Sequence, residues 1–111
     1  QYTFARTRSL LTKGKDFGFD PMYSEAPVTN VERKLVYFEE IATRAIEEIA
    51  PQYVTTYLIE LAQEFNSYYA STPIVVEGDV LSAHRLGIVE SVSKTLARGL
   101  ELIAIVPPER M

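Results

Sequence analysis

Apolar residues return every third or fourth position through most of this chain, a spacing that specifies helices packed side by side. Val31, Leu35, Phe38, Ala42, Ala45, Ile46 and Ile49 form one set, and Val54, Leu58, Leu61, Ala62, Phe65 and Tyr69 a second. Leu86, Val89, Val92, Ser93, Leu96 and Leu100 form a third, opposite a wet face of Glu90, Lys94 and Arg98. Each set predicts a helix with one buried face. Residues 1–13 predict another, with Tyr2, Arg6 and Ser9 on one side and Phe4 and Leu11 on the other.

The punctuation agrees with this reading. Thr29-Asn30-Val31-Glu32 has capping-box spacing, in which residues 29 and 32 satisfy each other's N–H groups. Pro51 ends the helix before it or starts the next. Residues 14–28 hold two Gly and two Pro among aromatics, so they predict a loop packed by its own Phe17, Phe19, Met22 and Tyr23. Residues 71–80 read as a linker in which Ile74–Val76 can form a short extended piece. The expectation is an all-α bundle of four to five helices, one domain over residues 1–111. The chain has no initiator Met and starts inside a helical pattern, so we expect it to be part of a longer protein.

Much familiar chemistry is missing. With no cysteine there is no disulfide framework and no thiolate metal site. His84 is the only histidine, too few for a metal site or a triad, and reads as a surface residue. Glu39-Glu40 and Glu47-Glu48 are helix neighbours about 100° apart, which makes them a solvated face and not an acid–base pair. Neither a P-loop nor a G-x-G-x-x-G motif occurs. No run approaches the roughly 18 apolar residues of a membrane span, and no secretory leader pattern is present; a cytoplasmic location is expected.

Net charge is −4, yet it is unevenly spread. Residues 1–34 carry six Lys/Arg against four Asp/Glu, residues 35–80 one against eight, and residues 81–111 four against three. Two mildly basic ends can face a polyanion while the acidic middle points away. Seven tyrosines and no tryptophan are also present. Tyr53 and Tyr57 fall at the border of their helix's apolar stripe, where a ring either packs the core edge or offers a face to an unstacked base. Arg85 falls on an apolar side, so it snorkels, pairs with a carboxylate or reaches a phosphate.

Three segments carry a resemblance. "QYTFARTRSLL" (1–11), "APQYVTTYLIELAQEFNSYY" (50–69) and "RLGIVESVSKTLARGLELIAIVPPERM" (85–111) resemble the C-terminal, DALR-type anticodon-binding domain of arginyl-tRNA synthetases, in order and over nearly the whole chain. The resemblance implies a helical bundle that binds the anticodon stem-loop of arginine tRNA, inside an enzyme that ligates arginine to tRNA using ATP. Neither class I signature occurs here, so the ATP and arginine sites, and every catalytic residue, are expected in a catalytic domain outside this chain. By the same resemblance Tyr2, Tyr57 and Met111 line the anticodon pocket. Arg6, Arg8 and Arg85 match recurrent basic positions, as phosphate contacts or structural pairs. Pro107-Pro108 stiffens the approach to Met111, which packs against a base or plugs the end of the bundle. The expected partners are arginine tRNA and the parent's catalytic domain, with no membrane, DNA or metal. Two alternatives stand beside this: a helical protein-interaction module, and the anticodon-binding domain of another class I synthetase.

Overall fold

Five helices account for most of the described residues. A computed structural model describes residues 2–21, 29–79 and 81–105, the last without its side chain. The elements are α1 (Tyr2–Asp16), α2 (Asn30–Val36), α3 (Phe38–Glu47), α4 (Gln52–Ser71) and α5 (Leu81–Ile105). No strand occurs among the described residues, and Ile74–Val76 lie in an irregular linker with Ile74 anchored in the core. Helices α4 and α5 form a central pair. Helix α1 packs on one side of it, against α5 and α4, while α2 and α3 cover the other and do not touch α1.

The stripes read from the sequence form the core. Val54, Leu58, Leu61 and Phe65 of α4 meet Leu86, Val89, Val92 and Leu96 of α5, with Val31, Phe38 and Ala45 closing the second layer. Helix α1 is different: its buried centre is Thr3, Thr7 and Gly14, flanked by half-buried Phe4, Leu10 and Leu11. The Thr7 hydroxyl donates to the Phe4 carbonyl at 2.6 Å, so burial strands no polar group. Two glycines mark where helices come closest. A methyl group at Gly14 would strike Leu86 of α5, and one at Gly99 would lie 2.6 Å from Leu58 of α4.

The expected capping box is present. Thr29 Oγ1 accepts the Glu32 N–H at 3.2 Å, and Glu32 Oε1 accepts the Thr29 N–H at 2.9 Å. The helix it starts is interrupted at Tyr37; the periodicity over 31–49 leaves open whether this stretch is continuous or kinked near Phe38-Glu40. The cause lies on another helix. The Tyr57 hydroxyl of α4 donates to the Lys34 carbonyl at 2.6 Å and the Tyr37 N–H to the same oxygen at 3.2 Å, so together they take the acceptor that an unbroken helix would use for Phe38. The Phe38 ring then packs against Tyr57, centroids 5.6 Å apart.

Helices α1 and α3 end alike. Gly18 N–H bonds the Lys15 carbonyl and Phe19 N–H the Gly14 carbonyl, a Schellman motif with Gly18 at φ +83°. Ile49 and Ala50 repeat it on Ile46 and Ala45, and Ile49 stands at φ 51°. A branched side chain there costs about 1–2 kcal/mol, which glycine avoids. Ile46, in the last turn of α3, and Ile49, just beyond it, fall by periodicity on the buried face but are each 55% exposed.

Two substitutions test this packing. Ile49→Gly leaves unfolding free energy in urea titrations within about 1 kcal/mol of wild type, since relief of the strained backbone offsets the lost half-burial and the freer unfolded chain. Tyr57 is buried, which pushes its hydroxyl pKa up to about 12. The folded state therefore keeps the phenol neutral while the unfolded chain ionises near pH 10. Its contribution is intact below pH 10 and disappears as pH rises towards 12. Tyr57→Phe flattens that alkaline loss and costs about 1 kcal/mol at neutral pH through the missing hydrogen bond.

Candidate nucleic-acid interface

The α1–α4 crossing presents a stack of alternating rings and cation. Arg6 and Tyr2 lie one turn apart on α1, which brings the guanidinium carbon within 4.5 Å of the Tyr2 ring centroid. The same guanidinium carbon lies 4.1 Å from the ring centroid of Tyr69 on α4, and Tyr69 in turn contacts the core ring of Phe65 with centroids 6.5 Å apart. Arg6 also donates to the Tyr2 hydroxyl and, at 3.2 Å, to Asn66 Oδ1, whose amide donates to Thr3 Oγ1 at 3.3 Å. Both acceptors that orient Arg6 thus belong to α1 or α4. The outer ring, Tyr2, is 68% exposed and Tyr69 is 38% exposed. Asn66 also borders a groove of about 250 Å³ between α4 and α5, lined by Ile59, Ala62, Gln63, Leu96 and Ile103.

A second cleft, of about 560 Å³, lies on the opposite side between α2, α3 and α4. It shows Tyr37, Tyr53 and Tyr57 beside Lys34 and Arg44. Its charges are already spent. Lys34 pairs with Glu60, and Glu48 takes Tyr53 Oη at 2.8 Å and Arg44 Nε at 3.2 Å. The Tyr53 hydroxyl and the Arg44 guanidinium together hold the Glu48 carboxyl below its ordinary pKa. With Glu39, Glu40 and Glu47 exposed on α3, this side repels a polyanion.

A basic, ring-bearing face set against an acidic one suits a nucleic-acid loop, and relatives of the chain point the same way. Residues 1–111 match the DALR anticodon binding domain. The chain belongs to that family. Arginine–tRNA ligase of Lawsonia intracellularis is 31% identical to it over 121 aligned residues, covering all of this chain and 22% of that protein. The arginine–tRNA ligases of Ignicoccus hospitalis and Thermus thermophilus are each 34% identical, with 18% and 20% of their lengths covered. This DALR domain thus spans about one fifth of those relatives. No solved structure matches it.

The residues singled out from the sequence take different places in the domain. Tyr2 and Arg6 come together in the stack. Tyr57 does not sit at a border: it is 3% exposed, because α2 covers that edge of α4. Arg85 is committed to the linker, donating to the Ile74 carbonyl at 2.9 Å, Asp79 Oδ2 at 3.1 Å and Ser82 Oγ at 3.2 Å. Asp79 also accepts the Leu81 N–H at 2.9 Å; that N–H first, then Arg85, keeps its carboxyl pKa low. Arg8 is exposed, with Nη1 3.5 Å from Ser93 Oγ. Met111, with Pro107 and Pro108, lies outside the described residues, as do Met22 and Tyr23. Tyr69, read from the sequence only as the end of an apolar stripe, is the stacking residue that reasoning missed. Its offset from Phe65 on one helix face was the available signal. Among the described residues no group of His, Asp and Glu is arranged to hold a metal ion.

The Arg85 assignment has a direct test. Arg85→Ala frees the Ile74 carbonyl and the Asp79 carboxylate, and lowers unfolding free energy by about 2 kcal/mol. RNA binding measured below the melting temperature stays unchanged; a loss of affinity with unchanged stability would make Arg85 a phosphate contact.

Proposed function

We propose that this chain holds the anticodon stem-loop of arginine tRNA for an arginine–tRNA ligase, with Tyr2, Arg6 and Tyr69 receiving an unstacked loop base. The observation that supports this best is the exposed ring–guanidinium–ring stack at the α1–α4 crossing. Proteins read single-stranded RNA loops by stacking splayed bases on aromatic or arginine planes and hydrogen-bonding their edges. Here the planes are present, and Asn66 and Gln63 supply amides beside an apolar groove. The choice of arginine tRNA rests on the relatives being arginine–tRNA ligases. All arginine codons have G in the middle, so their anticodons share a middle C, and a site reading that one base serves every isoacceptor.

In this reading the chain recognises and does not catalyse. It uses no cofactor of its own; ATP and arginine are handled by the rest of the parent enzyme, in the cytoplasm. The chain's other partner is the parent's catalytic domain, whose distance from the anticodon makes a firm grip on the loop useful. Tyr57 contributes by holding α2 against α4, and Met111 is the residue expected to pack on a bound base. No described helix is long and apolar enough to cross a membrane.

A salt-series titration with an arginine anticodon stem-loop, beside a middle C→U variant, tests the proposal. Wild-type binding weakens with salt and drops by at least about 1 kcal/mol for the variant loop. Tyr69→Ala removes about 1–3 kcal/mol of binding, whereas Tyr57→Phe binds as wild type. Equal affinity for both loops, or full affinity of Tyr69→Ala, defeats the assignment.

A further inference from the structure

Charge compensation divides this molecule by helix. Lys34, Arg44, Arg85, Lys94 and Arg98 each lie within 4.0 Å of a carboxylate, and Arg33 donates to Asn30. Helix α1 carries Arg6, Arg8, Lys13 and Lys15, and none of these has a carboxylate partner among the described residues. The helix dipole favours lysines in the last turn, which accounts for Lys13 and Lys15 but not for Arg6 or Arg8.

Four of the side chains on the open face of α1 share a shallow surface depression. Arg8, Ser9, Thr12 and Lys13 line it, with Asp16 and Phe17 at its far end. Phe17 follows the last residue of the helix, and Gly18 turns the chain away immediately behind it. The ring is left 45% exposed, while Phe19 packs inward. Tyr2, Arg6, Ser9 and Lys13 follow one another at steps of three to four residues, so a single stripe joins the ring stack to this depression. From Arg6 to Lys13 it runs about 10 Å along the helix.

We infer that this depression is a second RNA subsite, in which Arg8 and Lys13 hold phosphates beside the base bound at the Tyr2–Arg6–Tyr69 stack and Phe17 stacks a neighbouring loop base. The inference rests on the proposed anticodon reading and extends it from one nucleotide to the strand that continues from it. Each residue type suits its place. Unpaired cations favour phosphate, an exposed ring favours a base face, and the Asp16 carboxylate accepts from a base amino group or a 2′-hydroxyl. Continuity with the stack and the sign of the charge both favour a nucleic-acid strand over an apolar peptide.

The test uses the 111-residue chain with an arginine anticodon stem-loop RNA, over a salt series. Phe17→Ala weakens binding about tenfold, of the order expected for one base stack. The Arg8→Ala, Lys13→Ala double variant lowers the slope of log affinity against log salt by about 0.7 per lost phosphate contact. On a loop made abasic at the base that Phe17 holds, Phe17→Ala adds no further loss. All three positions are exposed at least in part, so melting temperatures should stay close to wild type, and Lys13→Glu provides a second, stronger variant. Wild-type affinity and slope in these variants, with Tyr69→Ala still weak, overturn the second subsite and leave the stack standing. A full Phe17→Ala loss on every abasic loop overturns it as well. If wild type does not bind the stem-loop, or Tyr69→Ala binds as wild type, the anticodon reading itself falls and takes the subsite with it. A variant that shifts melting but not the salt slope assigns its side chain to the helix dipole.

Discussion

Two missing side chains let α5 hold the rest of the molecule together. Gly14 lets α1 come down on Leu86, and Gly99 lets Leu58 of α4 come down on α5. These approaches set how deeply α1 and α4 seat on the same long helix, and so where their free edges meet. The ring stack forms at that meeting, built wholly from side chains of α1 and α4. Filling either gap would displace Leu86 or Leu58, and close-packed interiors pass such shifts on to their neighbours.

The helices were legible because three apolar stripes, a capping box and well-placed proline and glycine all pointed the same way. What escaped the sequence depended on contacts between distant residues. Helix α1 is buried through Thr3, Thr7 and Gly14, residue types that carry no hydrophobic signal, so its inner face could not be centred correctly. The break at Tyr37 depends on the Tyr57 hydroxyl, 23 residues beyond the Lys34 carbonyl to which it donates, which no local pattern encodes. Ile49 adopts a backbone conformation normally left to glycine, and nothing in its own identity announces it.

The site shows the same division. Tyr2 and Arg6 could be paired from helical spacing alone. Their third member comes from α4, 63 residues beyond Arg6, and joins only through the crossing angle of two helices. Tyr57 shows the opposite effect: a border position on an isolated helix became core once α2 lay over it. Arg85, for which periodicity left three roles open, was settled by a linker whose carbonyl and carboxylate both point at it. Border and single-cation positions are where a sequence underdetermines function, because the neighbouring element decides whether they are lids, struts or ligands.

The Arg6 stack also carries its own placeholder. The guanidinium already lies 4.5 Å from the Tyr2 centroid and 4.1 Å from the Tyr69 centroid, so in the proposed reading an arriving base finds a place that is occupied and not a vacant slot. It must either cap the exposed outer ring or exchange places with Arg6, and an exchange returns part of the interaction energy it gains. Occupation at rest keeps a cation against both rings. It also makes leaving easier, since the guanidinium is tethered on the spot to close the gap behind a departing base. A surface organised in this way favours turnover over tenacity.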